Sequence, residues 1–117
     1  MQRDKSTIID ILHAAKNIVD FVEGLTYDEF SEDTKTRSAV LHQAMIVGEA
    51  VKRLSEEYRE NHEQVPWDNM AGLRDVLIHQ YNSVDYREIW NVATGELPEI
   101  IQKLEELAPE PPENTAQ

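Results

Sequence analysis

Four residues that could do chemistry together fall within eight positions of this chain: Arg74, Asp75, His79 and Tyr81, in the run Gly72-Leu73-Arg74-Asp75-Val76-Leu77-Ile78-His79-Gln80-Tyr81. An imidazole transfers protons near neutral pH. A guanidinium grips phosphoryl oxygens as negative charge builds on them. A carboxylate one helical turn from the histidine can hold the ring in one tautomer and orientation. The set is suited to proton transfer beside a phosphoryl group. The plainer alternative is an Arg–Asp pair near a helix start and a histidine near its end, doing no more than complementing the helix dipole.

The element that must carry these residues is an amphipathic helix. Met70, Leu73, Leu77 and Tyr81 recur at three- and four-residue steps, the stripe of a buried helix face. On it Arg74 and Tyr81 lie on nearly one face, and Asp75 and His79 are neighbours one turn apart. Arg74 and His79 stand roughly 140° apart around an ideal helix at 3.6 residues per turn. They converge only if the helix loosens near His79, or if a second copy of the chain brings its own pair opposite.

Arg74-x-x-x-x-His79-x-Tyr81, with polar Asp75 directly after the arginine, resembles the signature of the HEPN superfamily, and within it the HepT-like toxin ribonucleases of HEPN–MNT toxin–antitoxin systems. The resemblance extends from about Asp4 to Leu107. Glu23-Gly24-Leu25 with Phe30, Ile46-Val47-Gly48-Glu49-Ala50-Val51-Lys52-Arg53-Leu54, Val65-Pro66-Trp67, Val84-Asp85 followed by Ile89-Trp90, and Leu97-Pro98 look like family landmarks in family order.

The resemblance implies an endoribonuclease that works without a metal or other cofactor. His79 would transfer the proton, Arg74 would stabilise the phosphorane, and Asp75 would hold His79. It implies a two-fold homodimer supplying two arginines and two histidines to one cleft. It also implies an MNT-type nucleotidyltransferase antitoxin that silences the toxin by transferring AMP from ATP to Tyr81. A bulky anionic group there would obstruct the site and compete for Arg74. Tyr81 also reads as the last rung of the apolar stripe. The reading from a different class is a nonenzymatic helical protein that docks on a nucleotidyltransferase.

Bulk properties bound these readings. The chain has 117 residues, expected to form one domain over residues 1–107 that buries about two thirds of its unfolded surface. Eleven basic against twenty-three acidic residues give a net charge of −12, a poor footprint for a general nucleic-acid binder and a good one for docking on a basic partner. Any RNA chemistry must therefore rest on a local patch. There is no cysteine, so no disulfide or thiolate site. His13, His42, His62 and His79 show no metal-ligand spacing. No apolar run approaches the roughly 20 residues that span a membrane, and no signal-peptide core precedes the first helical pattern, so a cytoplasmic protein is expected.

Along the chain the pattern predicts an all-α antiparallel bundle of four main helices. The first is expected to start from an N-cap at Asp4 or Ser6 and to end at Gly24, burying Ile8, Ile11, Leu12, Ala15, Val19 and Val22. A connector from Leu25 to Thr36 holds one short turn, with Phe30 tucked beneath it. A second helix is expected from Asp33 or Thr34 to Glu60, apolar on two sides. Within it, Gly48 costs about 1 kcal/mol of helix propensity and suits a place where another helix passes close. Glu49 is either a solvated edge or a partner for Arg74 or His79. The motif helix has Pro66 in its first turn and Trp67 as an anchor, and it ends around Gln80 to Asn82, with Asn82-Ser83 a turn. The last runs from a cap at Asp85 to Leu107, kinked or split near Gly95-Pro98. Residues 108–117 form a Pro-rich acidic tail expected to be disordered.

Overall fold

The computed structural model describes residues 2–79 and 81–108, with the side chains of Gln2, His79 and Tyr81 outside the described ones. Every regular element among them is helical: α1 (Gln2–Val22), α2 (Tyr27–Glu32), α3 (Thr34–Arg53), α4 (Glu56–Asn61), α5 (Trp67–His79), a 3-10 turn (Tyr81–Ser83), α6 (Tyr86–Asn91), a π turn (Val92–Glu96) and α7 (Leu97–Leu107). The fold is an all-α helical bundle. The expected tail lies, apart from Ala108, outside the described residues.

α3 is the central element. It packs on α1 along one side and on α5 along the other, which is why its apolar surface exceeds a single stripe. Val40, Val47, Ala50 and Val51 are sealed from solvent within it. α7 closes on α1 and adds Leu104 to the same core. No described helix is long and apolar enough to cross a membrane.

α1 departs from expectation at its start. Neither Asp4 nor Ser6 is a cap, because the helix begins before both, at Gln2. Asp4 is only 3% exposed, and its carboxylate accepts the Ser55 backbone N–H at 3.0 Å and the Ser55 hydroxyl at 2.8 Å. Ser6 donates its hydroxyl to the Arg3 carbonyl instead. The helix ends as predicted: Gly24 takes φ +82°, the left-handed conformation that costs glycine least. Thr26 and Glu29 then form a reciprocal capping box that starts α2. That short helix places Phe30 in the core against Trp90 and Tyr86.

The second helix is shorter than its periodicity predicts. It runs from the Asp33 cap only to Arg53, and a separate α4 follows. Leu54 and Ser55 are extended, with ψ of 145° and 151°. Ser55 gives its N–H to Asp4, and its hydroxyl oxygen accepts from the Tyr58 N–H to begin α4. A serine that caps the next helix and bonds a buried carboxylate outweighs an apolar rhythm running unbroken from Val51 through Leu54 to Tyr58.

Trp67 anchors α5 as expected: it is buried, and its indole N–H donates to the His62 carbonyl at 2.9 Å. The last helical region starts from the Asp85 cap and is interrupted where Gly95 and Pro98 predict. The interruption is a single π turn, in which the Leu97 N–H reaches back to the Val92 carbonyl. Pro98 sits in the first turn of α7, where its missing N–H is not needed.

Candidate active site at the crossing of α3 and α5

The site begins with an absence. α3 meets α5 at Gly48, where an added Cβ would lie 2.5 Å from the Arg74 Cβ and 2.9 Å from the Arg74 backbone nitrogen. No other residue type fits without moving one helix. Gly48 therefore does what its place in the sequence suggested, letting a second helix pass at backbone contact.

That approach lays the Arg74 side chain along α3. Its Nε lies 3.3 Å from Glu49 Oε2 and its Nη1 lies 3.3 Å from Asp75 Oδ1. Both readings open for Glu49 hold in part: it pairs with Arg74 and remains at a solvated edge, 54% exposed. Arg74 is the least exposed of these side chains, at 29%, while Glu49 and Asp75 are about half exposed. In water such pairs contribute little to stability each. Their effect is on direction: carboxylates at two edges of a planar guanidinium hold the plane.

A fourth member was not singled out in the sequence. Lys52 Nζ lies 2.8 Å from Asp75 Oδ1, the same oxygen that Arg74 contacts. Glu49 and Lys52 are three apart on α3 and so share its α5-facing side. The chain of contacts runs Glu49, Arg74, Asp75, Lys52, with alternating charges from the two helices. The hydrogen bond from Lys52 holds the Asp75 carboxyl below its ordinary range; partial burial opposes this, and the charges of Lys52 and Arg74 add to it. Asp75 is therefore a carboxylate at neutral pH. Its Oδ2 has no hydrogen-bond partner among the described residues.

His79 is the last residue of α5, and Tyr81 opens the 3-10 turn that follows. Their side chains lie outside the described ones, and with them the expected contact of Asp75 with His79. The structure thus brings together Arg74, Asp75 and Glu49, adds Lys52, and places the backbone of the His-x-Tyr pair at the end of the same helix. Beside Asp75, the motif helix exposes two large apolar side chains, Val76 at 48% and Ile78 at 42%. Leu73 and Val76 also line an apolar groove of about 580 Å³ between α5 and the α6–π–α7 segment. Neither Arg74 nor Asp75 lines that groove, so its shape bears on packing rather than on the charged cluster.

The chain is similar to known proteins over most of its length. Residues 11–107 match the family model described as Ribonuclease HepT-like. "Putative RNase MJ0127" of Methanocaldococcus jannaschii is 42% identical over 103 residues, covering 88% of this chain and 85% of that protein. "Putative RNase TTE0752" of Caldanaerobacter subterraneus is 36% identical over 107 residues, covering 92% of this chain and 96% of the relative. "Probable ribonuclease HepT" of Thermococcus cleftensis is 35% identical over 103 residues, covering 88% and 94%. No solved structure matches the chain.

Proposed function

The chain belongs to the HepT-like ribonuclease family, and from that premise we propose that it is a metal-independent endoribonuclease, the toxin of a HEPN–MNT toxin–antitoxin pair. The observation that carries the proposal is the arginine of the Arg-x4-His run. Arg74 is not a loose surface cation: it is seated on α3 at Gly48 and held at two edges by Glu49 and Asp75. A guanidinium fixed in this way can meet a phosphoryl group without first being ordered, which is what electrostatic stabilisation of a transition state requires.

In the proposed reaction His79 takes the proton of the 2′-hydroxyl next to the scissile phosphate. The 2′-oxygen bonds to phosphorus, and Arg74 stabilises the charge on the non-bridging oxygens. The P–O5′ bond breaks, with the leaving oxygen protonated by a second histidine. The products are a 2′,3′-cyclic phosphate and a 5′-hydroxyl. The second histidine comes from a homodimer in which two motif helices face one another. Val76 and Ile78, exposed on either side of Asp75 around the helix, support burial of that face. In this reading Asp75, one turn from His79 and with Oδ2 unengaged among the described residues, orients the imidazole.

Control follows from Tyr81. In this reading an MNT-type nucleotidyltransferase moves AMP from ATP to the phenol oxygen, releasing pyrophosphate, and the adduct blocks the cleft. The nonenzymatic docking protein keeps one observation in its favour, the net charge of −12. A single assay separates the two. Wild type, His79→Ala and Arg74→Ala are incubated with RNA in EDTA. The ribonuclease reading expects wild-type cleavage and a loss of roughly 10²–10⁴-fold in each variant. RNA left intact by the wild type both in EDTA and with added Mg²⁺ favours the docking protein, and RNA cut equally by His79→Ala removes His79 from the reaction.

A further inference from the structure

One oxygen at the crossing, Asp75 Oδ1, lies between two cations on two helices, 2.8 Å from Lys52 Nζ and 3.3 Å from Arg74 Nη1. A non-bridging phosphate oxygen carries the same kind of charge and takes the same donors at similar distances. The crossing therefore already holds an anion between Lys52 and Arg74, and the anion is the protein's own. Lys52 has no other bonding partner among the described residues, and both its side chain and that of Asp75 are half exposed. Water can replace the contact when either side chain turns, so breaking it is cheap.

We propose that Lys52 and Arg74 together form a two-cation subsite for a single phosphate of the RNA substrate, with Asp75 as the internal occupant that the phosphate displaces. The inference rests on the ribonuclease reading above and extends it to a residue outside the Arg-x4-His-x-Tyr motif. It also addresses a difficulty of that reading, the strongly acidic chain. Glu49, Lys52, Arg74 and Asp75 sum to no net charge at rest, so the subsite advertises no positive patch until Asp75 moves aside. Lys52 then supplies a point charge beside the planar guanidinium, which Glu49 still holds at Nε, and the two donors come from helices fixed against each other by Gly48.

The test reads binding in a His79→Ala background, where the RNA stays intact, as the dependence of Kd on salt concentration. Each lost phosphate contact on a single strand lowers the slope of log K against log salt by about 0.7. Lys52→Gln is expected to weaken binding and lower the slope by about that amount, and Lys52→Arg to restore it. Lys16→Gln removes the same charge from the α1–α7 side, where Lys16 pairs with Glu105 at 2.9 Å, and is expected to leave the slope unchanged. Asp75→Asn removes the internal competitor and is expected to tighten binding, an effect that loss of structural support would not produce. If Lys52→Gln matches Lys16→Gln in slope, or Asp75→Asn binds more weakly, the subsite is refuted while RNA binding stands. If the background protein binds no RNA at any salt concentration, the ribonuclease reading falls and takes the subsite with it.

Discussion

Arg74 has Glu49 at Nε and Asp75 at Nη1. Its neighbours therefore matter for how it points rather than whether it is charged. Helical spacing drew attention to Arg74, Asp75, His79 and Tyr81 because it relates residues within one helix, but their roles come from the family resemblance and not from the spacing. Lys52 was not legible, since its contact with Asp75 spans 23 positions and exists only because two helices touch. Glu49 was half legible: a charge in an apolar stretch asks for a partner, and the sequence left Arg74 and His79 both open. At this scale the sharpest prediction concerns Tyr81. Incubated with the proposed nucleotidyltransferase partner, ATP and Mg²⁺, the wild type is expected to gain the mass of one AMP on Tyr81. Tyr81→Phe keeps the ring and deletes the acceptor oxygen, so it is expected to fold normally and gain none. Mass spectrometry reads the adduct directly. An adduct forming equally on Tyr81→Phe would return Tyr81 to a packing role.

The elements place these residues through two features, Gly48 in α3 and the serine break after it. The first was readable as a glycine whose helix cost needs a reason. The second was not, because Ser55 breaks the helix through a bond to Asp4, 51 residues away. Gly48→Ala would push α5 off α3 or strain Arg74, and overpacking of this kind typically costs about 1–3 kcal/mol. The expected outcome is a lowered Tm together with lost cleavage, because Arg74 sits at the clash. A variant with unchanged Tm and activity would show that the helices are not in backbone contact there. Asp4 ties the start of α1 to the α3–α4 break. The Ser55 backbone N–H holds its carboxyl below the ordinary value of 3.8, against the opposing effect of burial, with the Ser55 hydroxyl adding to the lowering. A depressed pKa contributes stability that is present above 3.8 and is lost as pH falls through the folded value. Asp4→Asn is therefore expected to be less stable at pH 7 and to lose less on acidification below about pH 4. Thermal melts across that range check it, and parallel pH profiles for the two proteins would contradict it.

Across the whole molecule the bundle itself was readable, because α-helical periodicity is local and the caps at Asp33 and Asp85 are written in adjacent residues. What one chain did not reveal is how Arg74 and a histidine converge when they stand roughly 140° apart on one helix. In the proposed account a second copy solves this, and the same pairing covers Val76 and Ile78. The net charge of −12 then acts against nonspecific nucleic-acid binding and in favour of a basic protein partner. The central claim is that these side chains cleave RNA by proton transfer and charge stabilisation alone. Its most direct test is the chemistry of the cut ends made by purified wild-type protein in EDTA. The account predicts 2′,3′-cyclic phosphate and 5′-hydroxyl termini, formed at an undiminished rate in the chelator and lost with His79→Ala. Termini bearing a 5′-phosphate, or cleavage that stops in EDTA and returns with a divalent metal, would contradict it.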